Sequence, residues 1–108
     1  MAPETETALF KSLSDPTRRA LYERLAADGP LTVARLTEGA GISQPAVSKH
    51  LGVLKRAGLV DGSVEGRTTR YAATPGALRP LAAWTARMSG VWDDALDDLG
   101  DLLRRMDQ

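Results

Sequence analysis

Cysteine is missing from the 108 residues, and histidine occurs once. The first absence removes disulfides, thiolate metal sites, cysteine nucleophiles and thiol redox sensing together. No apolar run approaches the ~18 residues that a membrane-spanning helix requires. The opening MAPETETALFKSL lacks the basic start and long apolar stretch of a secretory signal, so the expected compartment is the cytoplasm. Net charge is also lacking, because 14 Lys and Arg balance 14 Asp and Glu. Their distribution is uneven, however. From Ser43 to Arg70 the cations Lys49, Lys55, Arg56, Arg67 and Arg70 face only Asp61 and Glu65. From Trp92 onward Asp93, Asp94, Asp97, Asp98, Asp101 and Asp107 face only Arg104 and Arg105. A basic middle and an acidic end cancel in the total while remaining separate in space.

What is present is ordinary for a globular chain: 26% charged and 43% hydrophobic residues, at a length suited to one domain. Ala8, Leu9, Phe10 and Leu13 have helical spacing, predicting a short amphipathic helix over 5–13. Ser14-Asp15-Pro16 ends it and starts the next: Asp15 is a good N-cap, and Pro16 sits where a missing N–H costs nothing. Ala20, Leu21, Leu25 and Ala26 share one face of that second helix, which stops at Asp28-Gly29-Pro30. Leu31 falls in a connector. Thr32 caps a third helix with Ala34, Leu36 and Val33 turned inward, and Gly39-Ala40-Gly41 closes it. Ser43 caps a fourth helix, buried along Val47, Leu51 and Leu54 and ended by Ala57-Gly58. Strand-forming residues at 59–64 and 68–73 flank a glycine turn and predict a β-hairpin.

Thr74-Pro75 then opens a long last helix. Leu78, Leu81, Thr85, Met88, Trp92, Ala95, Leu99, Leu102 and Met106 step by three and four, a heptad-like seam widened by Trp84, Val91, Leu96 and Leu103. Some 30 helical residues reach about 45 Å, more than a domain of this size covers with its own core. The seam calls for a partner, the simplest being the same helix of a second copy. Gly90 and Gly100 each weaken this helix by about 1 kcal/mol relative to alanine.

Helix, glycine-bearing turn, capped helix and β-hairpin in that order is the layout of a winged helix-turn-helix. The expected fold class is therefore mainly α with a small β-hairpin and a long C-terminal dimerisation helix. A helix held by one apolar stripe presents its other face outward, and the major groove of DNA admits an element of that width. Its first turn carries free amides and a positive dipole end, both suited to phosphate. Gln44 can pair with a base edge there, and Ser43 can donate to a phosphate. Ser48, Lys49 and His50 follow along the exposed side, and Arg67 and Arg70 sit at the hairpin tip.

The stretches DPTRRALYERLA, GPLTVARLTEGAGISQPAVSKHLGVLKRAGLV and EGRTTRYAA together resemble the ArsR family of winged-helix transcriptional regulators over residues 8–74. The resemblance implies that Ser43, Gln44, Pro45, Ser48, Lys49 and His50 belong to the helix that reads operator DNA. It also implies that Arg67 and Arg70 are wing contacts and that Arg18 lies near the DNA backbone or serves packing. The first and last helices would form a homodimer, with Leu9, Phe10, Leu81, Trp84, Met88, Trp92, Leu96, Leu99 and Leu103 at the subunit contact. Metal-sensing members carry cysteines on the helix before the turn, which here reads LTVARLTEG, or Asp and His ligands on the last helix, which here has no His. No metal and no cofactor are therefore expected. The tail LAAWTARMSGVWDDALDDLGDLLRRM resembles the subset with an aromatic-rich last helix and no metal site.

The expectation is a single domain over 1–108, with a DNA-binding core at 8–74 and a dimerisation helix at 75–106. It would be a dimeric repressor that occludes a near-palindromic operator in double-stranded DNA. Two other functions fit the same fold: a protein-interaction module, and a regulator sensing a small-molecule effector between Trp84 and Trp92. An enzyme has no supporting constellation, because no base or nucleophile is placed to work with His50. Lys55 and Arg56 read either as phosphate contacts or as a solvated helix end, and the aspartate run from Asp93 to Asp101 reads as a solvated face.

Overall fold

The computed structural model describes residues 3–106. Helices α1 (Pro3–Ser14) and α2 (Pro16–Asp28) are followed by a two-residue strand β1 (Leu31–Thr32), then α3 (Val33–Thr37) and α4 (Gln44–Arg56). Strands β2 (Val60–Glu65) and β3 (Thr68–Ala73) and the last helix α5 (Arg79–Met106) complete the chain. Two compact units divide it, Met1–Leu78 and Arg79–Gln108.

Local chemistry sets the helix starts of the first unit. The Asp15 carboxylate accepts from the Arg18 amide at 3.0 Å, the Thr32 hydroxyl from the Arg35 amide at 3.2 Å, and the Ser43 hydroxyl from the Ala46 amide at 3.3 Å. Each satisfies one N–H that a helix leaves free in its first turn. The end of α4 is equally determined. Leu59 donates its amide to Leu54 O at 2.9 Å and Gly58 to Lys55 O at 3.0 Å. That bond pair is a Schellman closure, and it needs Gly58 at φ 80°, where a side chain would strain the backbone. Leu54 and Leu59, the apolar pair of such a closure, are both fully buried.

The core is made by Leu9 of α1, Leu21, Tyr22 and Leu25 of α2, Leu36 of α3, Val47, Leu51 and Leu54 of α4, and Leu59 and Val60 leading into the sheet. The stripe expected on α4 is the buried one. On α2 the expected Ala20 and Ala26 are exposed, and Tyr22 takes part in their place. Ala34, expected to face inward, is exposed as well, so the short α3 is anchored through Leu36. Arg24 of α2 reinforces that anchor by donating through Nη1 to Leu36 O at 3.1 Å and Glu38 O at 2.9 Å, carbonyls the end of α3 leaves unbonded.

The connector expected around Leu31 is a strand. Leu31 pairs with Tyr71 and Thr32 with Arg70, giving a three-stranded antiparallel sheet of order β1-β3-β2. The hairpin runs from Val60 opposite Ala73 to Glu65 opposite Thr68, leaving Gly66-Arg67 as a two-residue turn. Gly66 has φ 62° and Arg67 does not have a positive φ, the arrangement of a type II′ turn with glycine first.

Pro75 opens a turn rather than the last helix. Ala77 N donates to Thr74 O at 3.2 Å, Gly76 takes φ 77°, and α5 starts only at Arg79. From there it runs 28 residues, through Gly90 and Gly100, without one buried residue. Trp92, Leu96, Leu99, Leu103 and Met106 are all more than half exposed. Among the described residues no helix is long and apolar enough to cross a membrane.

Candidate nucleic-acid interface

Helix α4 is fastened by its inward stripe and leaves a polar face outside. Ser43, Gln44, Pro45, Ser48 and Lys49 are exposed, and His50 is half-buried. Gln44 and Ser48 lie on one wall of a groove of about 270 Å³ whose other walls are Thr32, Val33 and Ala34 at the start of α3 and Arg67, Thr68 and Thr69 of the hairpin. The first turn of α4 and the hairpin tip, some twenty residues apart in sequence, thus bracket a single concavity. A polar helix face beside a projecting two-stranded ribbon is suited to a duplex, whose major groove takes the helix while the ribbon meets the flanking backbone.

The two hairpin arginines differ. Arg67 is exposed and has no ion pair among the described residues. Arg70 does not line the groove. Its Nε lies 3.3 Å from Glu65 Oε2, a diagonal contact on one face of the ribbon. Reading along the chain gave Glu65 only as one of two acids among the cations of residues 43–70. The register that places it two positions from Arg70 across the strands is the signal that finds it.

Arg18 is half-buried and its donors are engaged. Nε donates to Ser12 O at 2.6 Å and Nη2 to Lys11 O at 3.4 Å, both carbonyls near the end of α1, while Nη1 lies 3.4 Å from His50 Nδ1 on α4. The Arg18 amide bond holds the Asp15 carboxyl below its ordinary range, outweighing the opposing effect of desolvation. Lys55 and Arg56 are exposed on the last turn of α4. Leu9, expected at a subunit contact, is 2% exposed and belongs to the protomer's own core, whereas Phe10 beside it is 43% exposed. Among the described residues no group of three or more His, Cys, Asp and Glu could hold a metal ion.

Comparison with known proteins places this geometry. A helix-turn-helix domain model matches residues 13–62. The HTH-type transcriptional regulator Rv2034 of Mycobacterium tuberculosis is 40% identical over 97 residues, which is 85% of this chain and 89% of that protein. The transcriptional repressor SdpR of Bacillus subtilis is 31% identical over 88 residues, covering 82% of this chain and 97% of the repressor. The crystal structure of an ArsR family transcriptional regulator, RHA00566, superposes with a TM-score of 0.79 at 31% identity, over 86% of this chain and 95% of that one. This chain belongs to the ArsR family. As a member of that family it is a winged helix-turn-helix, DNA-binding transcriptional regulator, and the family is one of regulators rather than of enzymes. In ArsR terms α3 and α4 are the helix-turn-helix and β2–β3 the wing. β1 is a third strand that ties the wing to the body.

Proposed function

We propose that this ArsR-family chain is a cytoplasmic homodimeric repressor that occludes a near-palindromic operator. In this reading Ser43, Gln44, Pro45, Ser48, Lys49 and His50 form the reading face. Arg67 and Arg70 are wing contacts, and Arg18 stands behind the reading face. The observation that carries it is the groove shared by Gln44, Ser48 and Arg67, which lets base-edge and backbone contacts be made together. Gln44 matches an adenine edge, while the arginines and Lys49 match phosphates.

Dimerisation is supported by α5. A 28-residue helix that buries none of its own residues leaves an apolar stripe of about 42 Å open to a second copy. Leu81, Trp84, Met88, Trp92, Leu96, Leu99 and Leu103 lie on it, with Phe10 of α1 as a further contact; none of these is in the protomer's core. Two α4 helices set about 34 Å apart would enter successive major grooves on one face of the duplex. The name of the SdpR relative supports repression as the sign of regulation.

Selection of bound duplexes from a random pool, paired with light scattering of wild type and Leu96→Glu, tests the reading. The expected result is an inverted-repeat motif for a wild-type dimer, and a folded Leu96→Glu monomer with greatly weakened binding. A wild-type monomer at micromolar concentration, or a selected motif without symmetry, overturns it.

A further inference from the structure

At the α1–α2 corner, Arg18 reaches the reading helix with its guanidinium, Nη1 lying 3.4 Å from His50 Nδ1. A guanidinium has only donors and stays charged, so Nη1 can bond Nδ1 only where Nδ1 offers its lone pair. A neutral imidazole with Nδ1 bare carries its proton on Nε2, on the far edge of the ring. Arg18 is itself held in place: Nε and Nη2 grip Ser12 O and Lys11 O, and its amide is capped by Asp15. The ring is therefore oriented by a side chain fixed to two other helices. His50 also sits one turn beyond Ala46 on α4, half-buried and beside the exposed Lys49.

We infer that Arg18 and His50 form a relay in which Arg18 fixes the imidazole by donating to Nδ1 and His50 donates Nε2–H to a phosphate of the bound duplex. Arg18 is then a positioning residue that touches no DNA, and His50 is the contact. The inference rests on the DNA-reading face proposed above and adds which atom of His50 faces the ligand and what holds it there. Without the relay, a half-buried imidazole on a helix edge chooses between two tautomers, only one of which has a donor at Nε2. With it, that donor is in place before DNA arrives, and little ordering remains on binding.

His50 is the only histidine, so its ring gives one unambiguous set of nitrogen signals. In the free protein above neutral pH, the ring is expected to show a protonated Nε2 and a bare Nδ1, and Arg18→Met to mix the two tautomers. A merely structural Arg18 would change stability and leave the ring's proton where it was. The probe for binding is a duplex selected by the wild type from a random pool, with methylphosphonates replacing its phosphates one at a time. One such replacement is expected to weaken the wild type about ten-fold and to have no further effect on His50→Asn. That variant keeps an acceptor where Nδ1 was and loses Nε2. His50→Gln, which keeps a donor near Nε2 and loses the acceptor toward Arg18, is expected to bind more weakly than the wild type too. Arg18→Met is expected to bind more weakly with an unchanged salt slope.

A ring protonated on Nδ1 overturns the relay, as does wild-type affinity in His50→Asn. An Arg18→Met salt slope flattened by about 0.9 does so as well, since it would make Arg18 a phosphate contact. Should Arg18→Met fail to fold, the two His50 variants and the ring spectrum decide alone. A wild type that selects no duplex overturns the reading face and the relay together, whereas a wild type that binds beside an equally tight His50→Asn overturns the relay only.

Discussion

On the wing contact proposed for Arg70, replacing Glu65 by glutamine is expected to tighten DNA binding, because Glu65 would compete with the duplex for the guanidinium. In the free protein the Arg70 guanidinium rests 3.3 Å from the Glu65 carboxylate, with the two side chains 43% and 58% exposed. An ion pair this open to water contributes about 0.2–1 kcal/mol, so breaking it to reach a phosphate forfeits that much binding energy. Removal of the competitor then gives about 1.4- to 5-fold tighter binding, at the upper end in low salt where the pair is least screened. The salt dependence reports the same event independently. A full phosphate neutralisation contributes about 0.9 to the logarithmic slope, and an arginine shared with a carboxylate contributes less. Glu65→Gln is thus expected to steepen the slope, and Arg70→Ala to flatten it more in the Glu65→Gln background than in the wild type. Anisotropy titrations of the four proteins over a range of salt concentrations measure both quantities. Weaker binding by Glu65→Gln, or a slope that does not move, would refute the competition and leave the pair as a prop of the hairpin.

Two further expectations concern the scaffold. Leu51 is fully buried in the α4 stripe, so Leu51→Ala is expected to cost about 2–5 kcal/mol in urea unfolding; a loss below that range would mean that α4 is not the centre of the core. The Asp15 carboxyl is held below its ordinary value of 3.8, first by the Arg18 amide, so its stabilising contribution is complete above that value and is lost as the pH falls through the lower, folded one. Asp15→Asn keeps a capping oxygen and removes this titration, flattening the acid limb of a stability profile; an unchanged acid limb would contradict the assignment.

The parts of this molecule legible in the sequence are those decided within a few residues. The caps at Asp15, Thr32 and Ser43, the stripe of Val47, Leu51 and Leu54 and the hairpin around Gly66 all follow from short-range rules, and all are present. What escaped depends on partners distant along the chain. A two-residue strand at Leu31–Thr32 has no periodicity to betray it and exists only because β3 offers Tyr71 and Arg70. The exposed Ala20, Ala26 and Ala34 show that a small apolar residue is compatible with either side of a helix. Pro75 satisfies the rules for a helix start and for a turn alike, and Gly76 decides for the turn. The polar residues on the outer side of α4 are legible as types at given spacings. Their engagements are not: that Arg70 is paired and Arg18 anchored needs the strand register and the packing of α1 on α2.

The Schellman closure leaves no slack between α4 and the wing: the chain passes from Lys55 through Gly58 to the buried Leu59 and enters β2 at once. With β1 gripping the other side of β3, the helix and the ribbon behave as two prongs of one casting. Neither prong can be re-aimed without the other, so any displacement of the helix carries the ribbon with it.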